Sequence, residues 1–356
     1  MKISILTFSK ETNFGANLQC YALCKTLQDM GHDVKIIDIQ LPERKASCIS
    51  RIIRLPEKFF FKVFQKKHLD IFTRKYVSVD DLKYNPPKSD LCIVGSDQVW
   101  SPQLTQRLDP LVYFFSFLPD GTRRISYAAS FGTEVWNNPE LTEEVRRLLK
   151  KFDVVSVREE SGVKICRDVF DIEAVKVVDP TLLLSSYDNL CGTYDCKKET
   201  KSLVYFPFHR NDKEQAILAD FAKSHGLKAV SLLSFRRSPG FTRKMFVPLR
   251  QWLNSIRYAR LVVSHSFHCM VFCILFHRHF ITIPINGRGT RQRNLLTMLG
   301  MEDHICEDND KLSDCLEKIY TKKIDYEHID GKIKELRDHS LDFLRSSISM
   351  ISAKKQ

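Results

Sequence analysis

The stretch KISILTFSKETNFGANLQCYALCKTLQDMGHDVKIIDI, residues 2–39, carries the pattern that decides the fold. Lys2 to Phe8 is a short apolar run typical of a buried strand, and Ala16 to Met30 spaces its apolar residues as an amphipathic helix does. Gly31 is placed to end that helix, and Val34 to Ile39 forms a second apolar run. The stretch therefore predicts a strand, a helix and a second strand, the repeating unit of parallel α/β sheets.

The alternation of strand and helix continues in two series along the chain. The first series predicts strands at 91–94, 125–129, 154–157 and 175–178 and helices at 142–151 and 159–168. Polar, turn-forming residues between Ser185 and Lys201 then interrupt the pattern. The second series predicts strands at 203–206, 229–232, 261–263 and 280–283 and helices that include 212–224, 249–259, 267–276 and a long terminal one at 326–349.

This organisation predicts an α/β chain with two Rossmann-like, doubly wound domains facing a cleft. We expect residues 1–190 to form the N-terminal domain and residues 201–356 to form the C-terminal domain with the terminal helix. Ligands bind such sheets at the carboxyl ends of their strands, so the cleft is the expected site.

Composition excludes several classes of protein. The chain has 356 residues, a net charge of +12 and eleven cysteines, and the lack of a C-x-x-C pair predicts a reducing, cytoplasmic environment and no structural zinc. The longest apolar runs are far short of the roughly 20 residues of a membrane-spanning helix, and no secretion signal precedes the first strand. The positive charge favours an anionic partner, but no nucleic-acid-binding motif accompanies it, so we expect no nucleic acid.

Two polar loops follow predicted strands of the first domain. One contains Asn13, Gly15 and Gln19 at the start of the first helix, and a capped turn without a ligand is its alternative interpretation. The other is G-S-D-Q-V-W, residues 95–100, which places hydroxyl, carboxylate and amide groups beside an aromatic ring of the kind that stacks on sugars. Trp100 is equally suited to the core, and that alternative stays open.

Three further loops carry groups that bind anions. Arg158 follows an apolar strand and can hold a carboxylate or phosphate bidentately, unless it only pairs with its glutamate neighbour. His265, Ser266 and His268 lie where a strand passes into an apolar helix whose N-terminus favours anions, and a zinc site there lacks a third ligand. Arg288 belongs to the basic loop N-G-R-G-T-R-Q-R, whose alternative interpretation is a solvated surface.

In this order, the loops resemble motifs of the polysaccharide pyruvyl transferase family. N-F-G-A-N-L-Q (13–19) is similar to its opening motif, and G-S-D-Q-V-W (95–100) is its most distinctive string. The other similar strings are I-S-Y-A-A-S-F-G (125–132), V-R-E (157–159), V-D-P-T-L-L (178–183) and S-F-H (266–268). The ordered set spans most of the chain and therefore carries more weight than any single motif.

The resemblance implies a GT-B-like fold and a bacterial transferase of surface-polysaccharide (exopolysaccharide) biosynthesis. Its reaction moves the enolpyruvyl unit of phosphoenolpyruvate onto two hydroxyls of one sugar, in the polysaccharide or its lipid-linked precursor, and forms a cyclic ketal. Phosphoenolpyruvate is then a co-substrate, with no cofactor and no metal. By the same resemblance, residues 1–190 are expected on the acceptor side and residues 201–356 on the donor side. His268 and Asp97 are expected to be catalytic. The residues expected at the donor are Arg158, Ser266, His265 and Arg288, and those expected at the acceptor are Asn13, Gly15, Gln19, Ser96, Gln98 and Trp100.

Departures from the family pattern keep other functions open. Members commonly carry Asp-Ser-Phe-His-Gly or Arg-Leu-His-Gly at the fourth loop, whereas this chain has His265 for Asp, Ser266 for Arg and Cys269 for Gly. A side chain at position 269 narrows a place where glycine lets a ligand approach. The alternatives are a GT-B glycosyltransferase that uses a nucleotide sugar, and a catalytically inactive paralogue that binds a glycan.

The segment from Arg51 to His68 mixes basic residues with phenylalanines. One interpretation is a helix that contacts the inner face of an anionic membrane, next to a lipid-linked acceptor. The other is a helix that packs its aromatic face on the sheet.

Overall fold

The computed structural model describes residues 1–40, 54–105, 108–285 and 289–353. Within them the chain forms two units, each built on a parallel five-stranded sheet. The first comprises 1–40, 65–184 and 333–353, and the second comprises 54–64, 185–285 and 289–332. Two helices, α2 (Leu55–His68) and α13 (Tyr326–Ala353), are divided between the units.

The first unit contains the strands β1 (Lys2–Leu6), β2 (Asp33–Ile39), β3 (Phe72–Tyr76), β4 (Leu91–Val94), β5 (Arg124–Ser126), β6 (Ser156–Val157) and β7 (Val175–Lys176). Its main sheet has the order β3-β2-β1-β4-β5, with every neighbouring pair parallel. The register sets Ile3 opposite Val34 on one side and Leu91 on the other. The parallel pair β6-β7 continues this sheet through an isolated bridge between Ile125 and Val154.

The helices of the first unit are α1 (Phe14–Asp29), α3 (Val79–Tyr84), α4 (Pro102–Thr105), α5 (Thr142–Leu149) and α6 (Glu160–Phe170). The C-terminal part of α13 also packs here: the Val178 N–H donates to Ser340 Oγ at 3.0 Å, and Arg337 Nε donates to Leu182 O at 2.7 Å. Residues 333–353 accordingly belong to the first unit, whereas the whole terminal helix was predicted to belong to the C-terminal domain.

The second unit contains the strands β8 (Ser202–Phe206), β9 (Lys228–Leu232), β10 (Thr242–Lys244), β11 (Leu261–Ser264) and β12 (His279–Thr282). Its sheet has the order β10-β9-β8-β11-β12, again all parallel. Its helices are α7 (Asp188–Cys191), α8 (Asp212–Ser224), α9 (Leu249–Arg257), α10 (Phe267–Leu275), α11 (Thr290–Leu299) and α12 (Leu312–Thr321).

Burial follows the position of each strand in its sheet. Every residue of the inner strands β4 and β8 is buried, as expected where helices cover both faces of a parallel sheet. The outer strands β3 and β10 carry charged and partly exposed residues. The α/β, Rossmann-like architecture predicted from the sequence is confirmed. Within the described residues, no helix is long and apolar enough to cross a bilayer.

The shared strand order creates one special place in each unit. In the first unit, the connection after β1 leads to β2 on one side of the sheet, and the connection after β4 leads to β5 on the other side. In the second unit, the connections after β8 and β11 diverge in the same way. The loops diverge there at the carboxyl ends of the strands. We call residues 7–13 and 95–100 the first edge, and residues 207–211 and 265–268 the second edge.

Candidate active site

The first edge is closed by hydrogen bonds among its own groups. Thr7 Oγ1 donates to Ser96 O at 2.8 Å and accepts from Gln19 Nε2 at 2.9 Å. Gln19 is fully buried and also donates to Ala16 O. At Gly95 a Cβ would lie 3.0 Å from Thr7 Cβ, a tight contact that would require Thr7 to shift by a few tenths of an ångström. Gln19, predicted to contact the acceptor, thus links α1 to Thr7 through its amide nitrogen.

The turn ahead of α1 is a helix cap. Asn13 Oδ1 accepts a hydrogen bond from the Ala16 N–H at 3.1 Å, which satisfies one of the first amide groups of the helix. Gly15 is buried in the first turn. The geometry therefore matches the capped turn that the sequence left open as an alternative.

Trp100 is a core residue. Its ring is fully buried, stacks on Phe114 with centroids 5.3 Å apart, and donates from Nε1 to Tyr113 O at 3.0 Å. Protein covers both ring faces, so no face is left for the predicted acceptor sugar. Gln98 packs against Gly132, whose φ of +75° suits glycine and where a Cβ would overlap the Gln98 amide.

Arg158 lies at the centre of a group of acidic and basic side chains that we call the Arg158 cluster: Asp97, Arg158, Glu159 and Asp179. Its guanidinium nitrogens lie 2.6 Å from Asp179 Oδ2, 3.1 Å from Glu159 Oε1 and 3.9 Å from Asp97 Oδ1. Ser96 Oγ donates to Asp179 at 3.2 Å. The structure thus brings together the predicted residues Ser96, Asp97 and Arg158, and adds two carboxylates.

The charge balance of the cluster does not suit an anionic donor. Burial opposes the charge of Arg158, but the three carboxylates outweigh it and raise the pKa of the guanidinium. One cation among three carboxylates repels a phosphate or a carboxylate. Arg158, predicted to contact the donor, holds the acidic side chains of its own unit in place.

Asp97 differs from the other two acids of the cluster in its exposure. Its side chain is 15% exposed, against 3% for Glu159 and 0% for Asp179. The residue has a φ of +78°, unusual for a side chain other than glycine, and Oδ1 accepts from the Gln98 N–H at 2.9 Å. Among these three carboxylates, Asp97 is therefore the one that a sugar hydroxyl can reach.

His265 is a buried link at the second edge. Its Nδ1 accepts from the Phe208 N–H at 3.1 Å, so in the neutral ring the proton is on Nε2, which donates to Glu214 Oε2 at 3.1 Å. The side chain is 2% exposed. The imidazole is engaged on both nitrogens, and His265, predicted to contact the donor, therefore joins α8 to the loop after β8.

Glu214 is the carboxylate on which this link depends. It accepts further hydrogen bonds from Tyr205 Oη at 2.6 Å and Asn309 Nδ2 at 3.1 Å. Burial opposes its ionisation, but the hydrogen bonds from His265 and Tyr205 outweigh burial and lower the pKa of Glu214. Burial and the bond to Glu214 together raise the pKa of Tyr205.

The remaining predicted residues of this loop lie at the start of α10. Ser266 Oγ caps the helix by accepting from the Cys269 N–H at 3.3 Å, and His268 lies in the first turn with 6% of its surface exposed. Cys269 is fully buried inside the helix packing. Arg288 lies outside the described residues.

A basic cavity opens beside the second edge. Its volume is about 220 Å³, and it is lined at the carboxyl ends of β8 and β9 by Phe208, His209, Arg210, Phe235 and Arg236, with Pro207, Gln215, Leu233 and Ser234. None of these lining residues is acidic. Arg210 pairs with the exposed Asp212 at 2.5 Å, a surface contact that a ligand can displace at little cost.

A larger cavity of about 680 Å³ runs along α8 and shares Arg210 and Gln215 with the basic cavity. Its lining balances Arg210 and Lys223 against Asp212 and Asp220. An anion is therefore favoured in the smaller cavity. Arg210 and Arg236 were not among the residues predicted for the site, although Arg210 stands four residues past the end of β8, the kind of position at which the predicted site residues lie.

Within the described residues, no three His, Cys, Asp or Glu side chains are arranged to hold a metal ion.

Two Rossmann-like units with these strand orders define a GT-B-like fold, and solved structures of that class match nearly the whole chain. The UDP-GlcNAc 2-epimerase from Neisseria meningitidis bound to UDP-GlcNAc aligns with a TM-score of 0.60 and 11% identity over 98% of this chain and 100% of that one. Spinosyn forosaminyltransferase aligns with a TM-score of 0.53 and 11% identity over 99% of each chain. The glycotransferase of kitacinnamycin aligns with a TM-score of 0.53 and 12% identity over 97% of this chain and 98% of that one.

The chain belongs to the polysaccharide pyruvyl transferase family, whose model matches residues 13–287. None of the curated proteins matches the sequence significantly. Family membership makes the protein a transferase of polysaccharide biosynthesis, and the structural likeness, at identities this low, supports the fold alone.

Proposed function

We propose that the protein transfers the pyruvyl group of phosphoenolpyruvate to a sugar of a surface polysaccharide or of its lipid-linked precursor, and forms a cyclic ketal. Family membership supports the reaction class. The observation that carries the choice of donor is the basic cavity, where two arginines meet at strand ends and none of the described lining residues is acidic.

The cavity matches phosphoenolpyruvate in charge and size. A phosphate and a carboxylate on one small molecule call for two guanidinium groups, and Arg210 and Arg236 supply them. Its volume of about 220 Å³ lies below the roughly 300–1,000 Å³ of pockets for drug-sized ligands. A nucleotide sugar is of that larger class, so the cavity favours the smaller donor.

The reaction requires two carbon–oxygen bonds to form at C2 of the enolpyruvyl unit. An acid protonates the C3 methylene to a methyl group while one sugar hydroxyl adds to C2 and loses its proton. The second hydroxyl then displaces phosphate from C2, and its proton leaves with the phosphate. Two hydroxyl protons are lost, one proton enters the methyl group, and inorganic phosphate is released.

Two residues are proposed for the proton transfers. Asp97 is the carboxylate that takes a hydroxyl proton, and Arg158 is its positioning residue. His268, in the first turn of α10, is the acid that protonates C3. The acceptor is thereby assigned to the first edge and the donor to the second.

The test is acceptor-dependent release of phosphate from phosphoenolpyruvate, with a panel of lipid-linked and nitrophenyl glycosides. Arg236→Ala should lower kcat/KM for phosphoenolpyruvate by about 10- to 100-fold, as expected for loss of a charged hydrogen bond. Arg237→Ala is the matched control, since Arg237 is equally exposed and adjacent but does not line the cavity. Equal losses in the two variants would refute the assignment of the cavity.

The same assay separates the alternatives. Turnover with a nucleotide sugar but not with phosphoenolpyruvate would identify a glycosyltransferase. No turnover with either donor, combined with glycan binding, would identify an inactive paralogue.

A further inference from the structure

The outward face of α2 combines exposed apolar side chains with lysines. Leu55, Phe59 and Val63 are 57%, 62% and 47% exposed, and their spacing of four residues aligns them along one side of the helix. On the opposite side, Phe61 and Phe64 are only 4% and 7% exposed. The inner face of the helix is therefore buried against the protein, while three large apolar side chains remain exposed in a line on the outer face.

Lysines flank that line on both sides. Lys58, Lys62, Lys66 and Lys67 are all exposed. At 100° per residue, Lys58 and Lys62 lie on one side of the apolar line, Lys67 lies on the other, and Lys66 lies within it. Glu57 is the single acidic residue between Leu55 and His68, and it falls on the inner side.

The C-terminal end of α2 is fixed by specific contacts. Gln65 Nε2 donates to Ser9 O at 3.0 Å and to Asn17 Oδ1 at 2.9 Å. The ring of His68 meets Tyr21 edge-to-face with centroids 6.0 Å apart. These contacts set the rotation of the helix, so the apolar line and its lysines stay directed outward.

We propose that α2 docks the protein on an anionic lipid surface. The three apolar side chains enter the boundary between headgroups and acyl chains, while the lysines extend to the phosphate groups. Charge complementarity favours lipid, because the face is strongly basic and the whole chain has a net charge of +12. A convex helix with lysines on both sides of its apolar line also lacks the continuous apolar area of a protein interface core.

This docking is independent of the pyruvyl transfer proposed above, because it is measured without substrate. The assay is co-sedimentation of the full chain with vesicles of phosphatidylglycerol and phosphatidylcholine, compared with vesicles of phosphatidylcholine alone. We expect binding to the anionic vesicles that weakens as salt rises. Absence of binding, or equal binding to both kinds of vesicle, would overturn the proposal.

Two matched pairs of variants locate the surface. The double variant Lys58→Glu with Lys62→Glu should weaken partition on the order of 25-fold or more. Its control is Lys35→Glu with Lys88→Glu, which makes the same change of charge at exposed lysines of β2 and of the loop before β4. The control variant should keep most of the binding. Phe59→Ser should weaken partition on the order of tenfold, and Val135→Ser, at a 61% exposed position, should not. Equal effects within either pair would place the contact elsewhere.

Fluorescence quenching measures directly whether the apolar side chains of α2 enter the lipid layer. Phe59→Trp introduces a fluorophore at the centre of the apolar line. Lipids with brominated acyl chains should quench the variant more than they quench the native protein, whose Trp100 and Trp252 are fully buried. The third tryptophan, Trp136, is partly buried and is present in both proteins, so it contributes equally to both measurements. Equal quenching would exclude insertion of α2.

Discussion

The first and second edges occupy the same place in two sheets of identical strand order, yet they differ in charge and in openness. At the first edge, Thr7 and Gln19 close the crevice and three carboxylates surround Arg158. At the second, a cavity opens that Arg210 and Arg236 line. Topology therefore decides where loops converge, whereas a few polar residues decide which ligand the converging loops accept.

The difference corresponds to the two substrates of the proposed reaction. A carboxylate with partial exposure suits a sugar hydroxyl that must lose a proton, and a basic cavity suits a small, multiply charged donor. Variants that alter one edge should consequently leave the function of the other intact, and this separation can be measured.

The largest expected effect is on turnover. Asp97→Asn removes the exposed carboxylate of the Arg158 cluster while Glu159 and Asp179 still balance the guanidinium. The kcat for phosphate release should fall on the order of 10²- to 10⁴-fold. The KM for phosphoenolpyruvate should change little, because the proposed donor site lies at the second edge. Steady-state phosphate release checks both values.

The control for this change is Asp120→Asn, at an 82% exposed side chain of the same unit. It should keep native turnover. Native turnover in Asp97→Asn as well would remove Asp97 from the mechanism and with it the assignment of the acceptor to the first edge.

The next effect is on stability. Asp179→Ala breaks the shortest contact of Arg158 and deletes an acceptor used by Ser96 Oγ and by Thr181 Oγ1 at 2.7 Å. We expect a loss of about 3 kcal/mol in the free energy of unfolding, the lower end of the cost of breaking a buried pair, because two other carboxylates remain. Urea denaturation followed by circular dichroism measures it.

Asp168→Ala is the comparison, since Asp168 pairs with Arg167 on the surface with a side chain 58% exposed. Its unfolding midpoint should not move measurably. A midpoint for Asp179→Ala that coincides with that of Asp168→Ala would contradict the structural role of the cluster.

Much of the fold was predictable because buried strands and amphipathic helices leave strong patterns. The strand Leu91–Val94 and the helix Asp212–Ser224 have the bounds that the sequence indicated. The outer strands Phe72–Tyr76 and Thr242–Lys244 were missed because half-exposed edges carry charged residues, which weaken the apolar signal.

The sequence indicated where polar residues would gather at the strand ends better than it indicated what each residue does there. A polar residue after a strand has the same local signature whether it binds a ligand or holds the protein together. Arg158 pairs with Asp179, 21 residues further along the chain, and His265 pairs with Glu214, 51 residues before it. A local sequence pattern cannot connect residues so far apart. Asp179 was present in the V-D-P-T-L-L string, but its salt bridge is a property of the tertiary structure.

The smallest effect tests whether the second edge, like the first, depends on a buried carboxylate. Glu214 has a folded-state pKa below its ordinary value of 4.5. Ionised Glu214 therefore stabilises the fold at pH values above the unfolded pKa, and this contribution is lost as the pH falls through the folded pKa. Native protein should lose stability below about pH 4.5 more steeply than Glu214→Gln does.

At neutral pH, Glu214→Gln should be less stable than the native protein by about 1 kcal/mol in the free energy of unfolding, because the substitution weakens the hydrogen bonds from His265 and Tyr205. Urea midpoints measured across the acid range give both quantities, and Glu317→Gln, at an exposed partner of His225, is the control that should follow the native curve. If the curve of Glu214→Gln instead runs parallel to the native one into acid, the second edge does not depend on the ionised carboxylate, and the likeness between the two edges is confined to their topology.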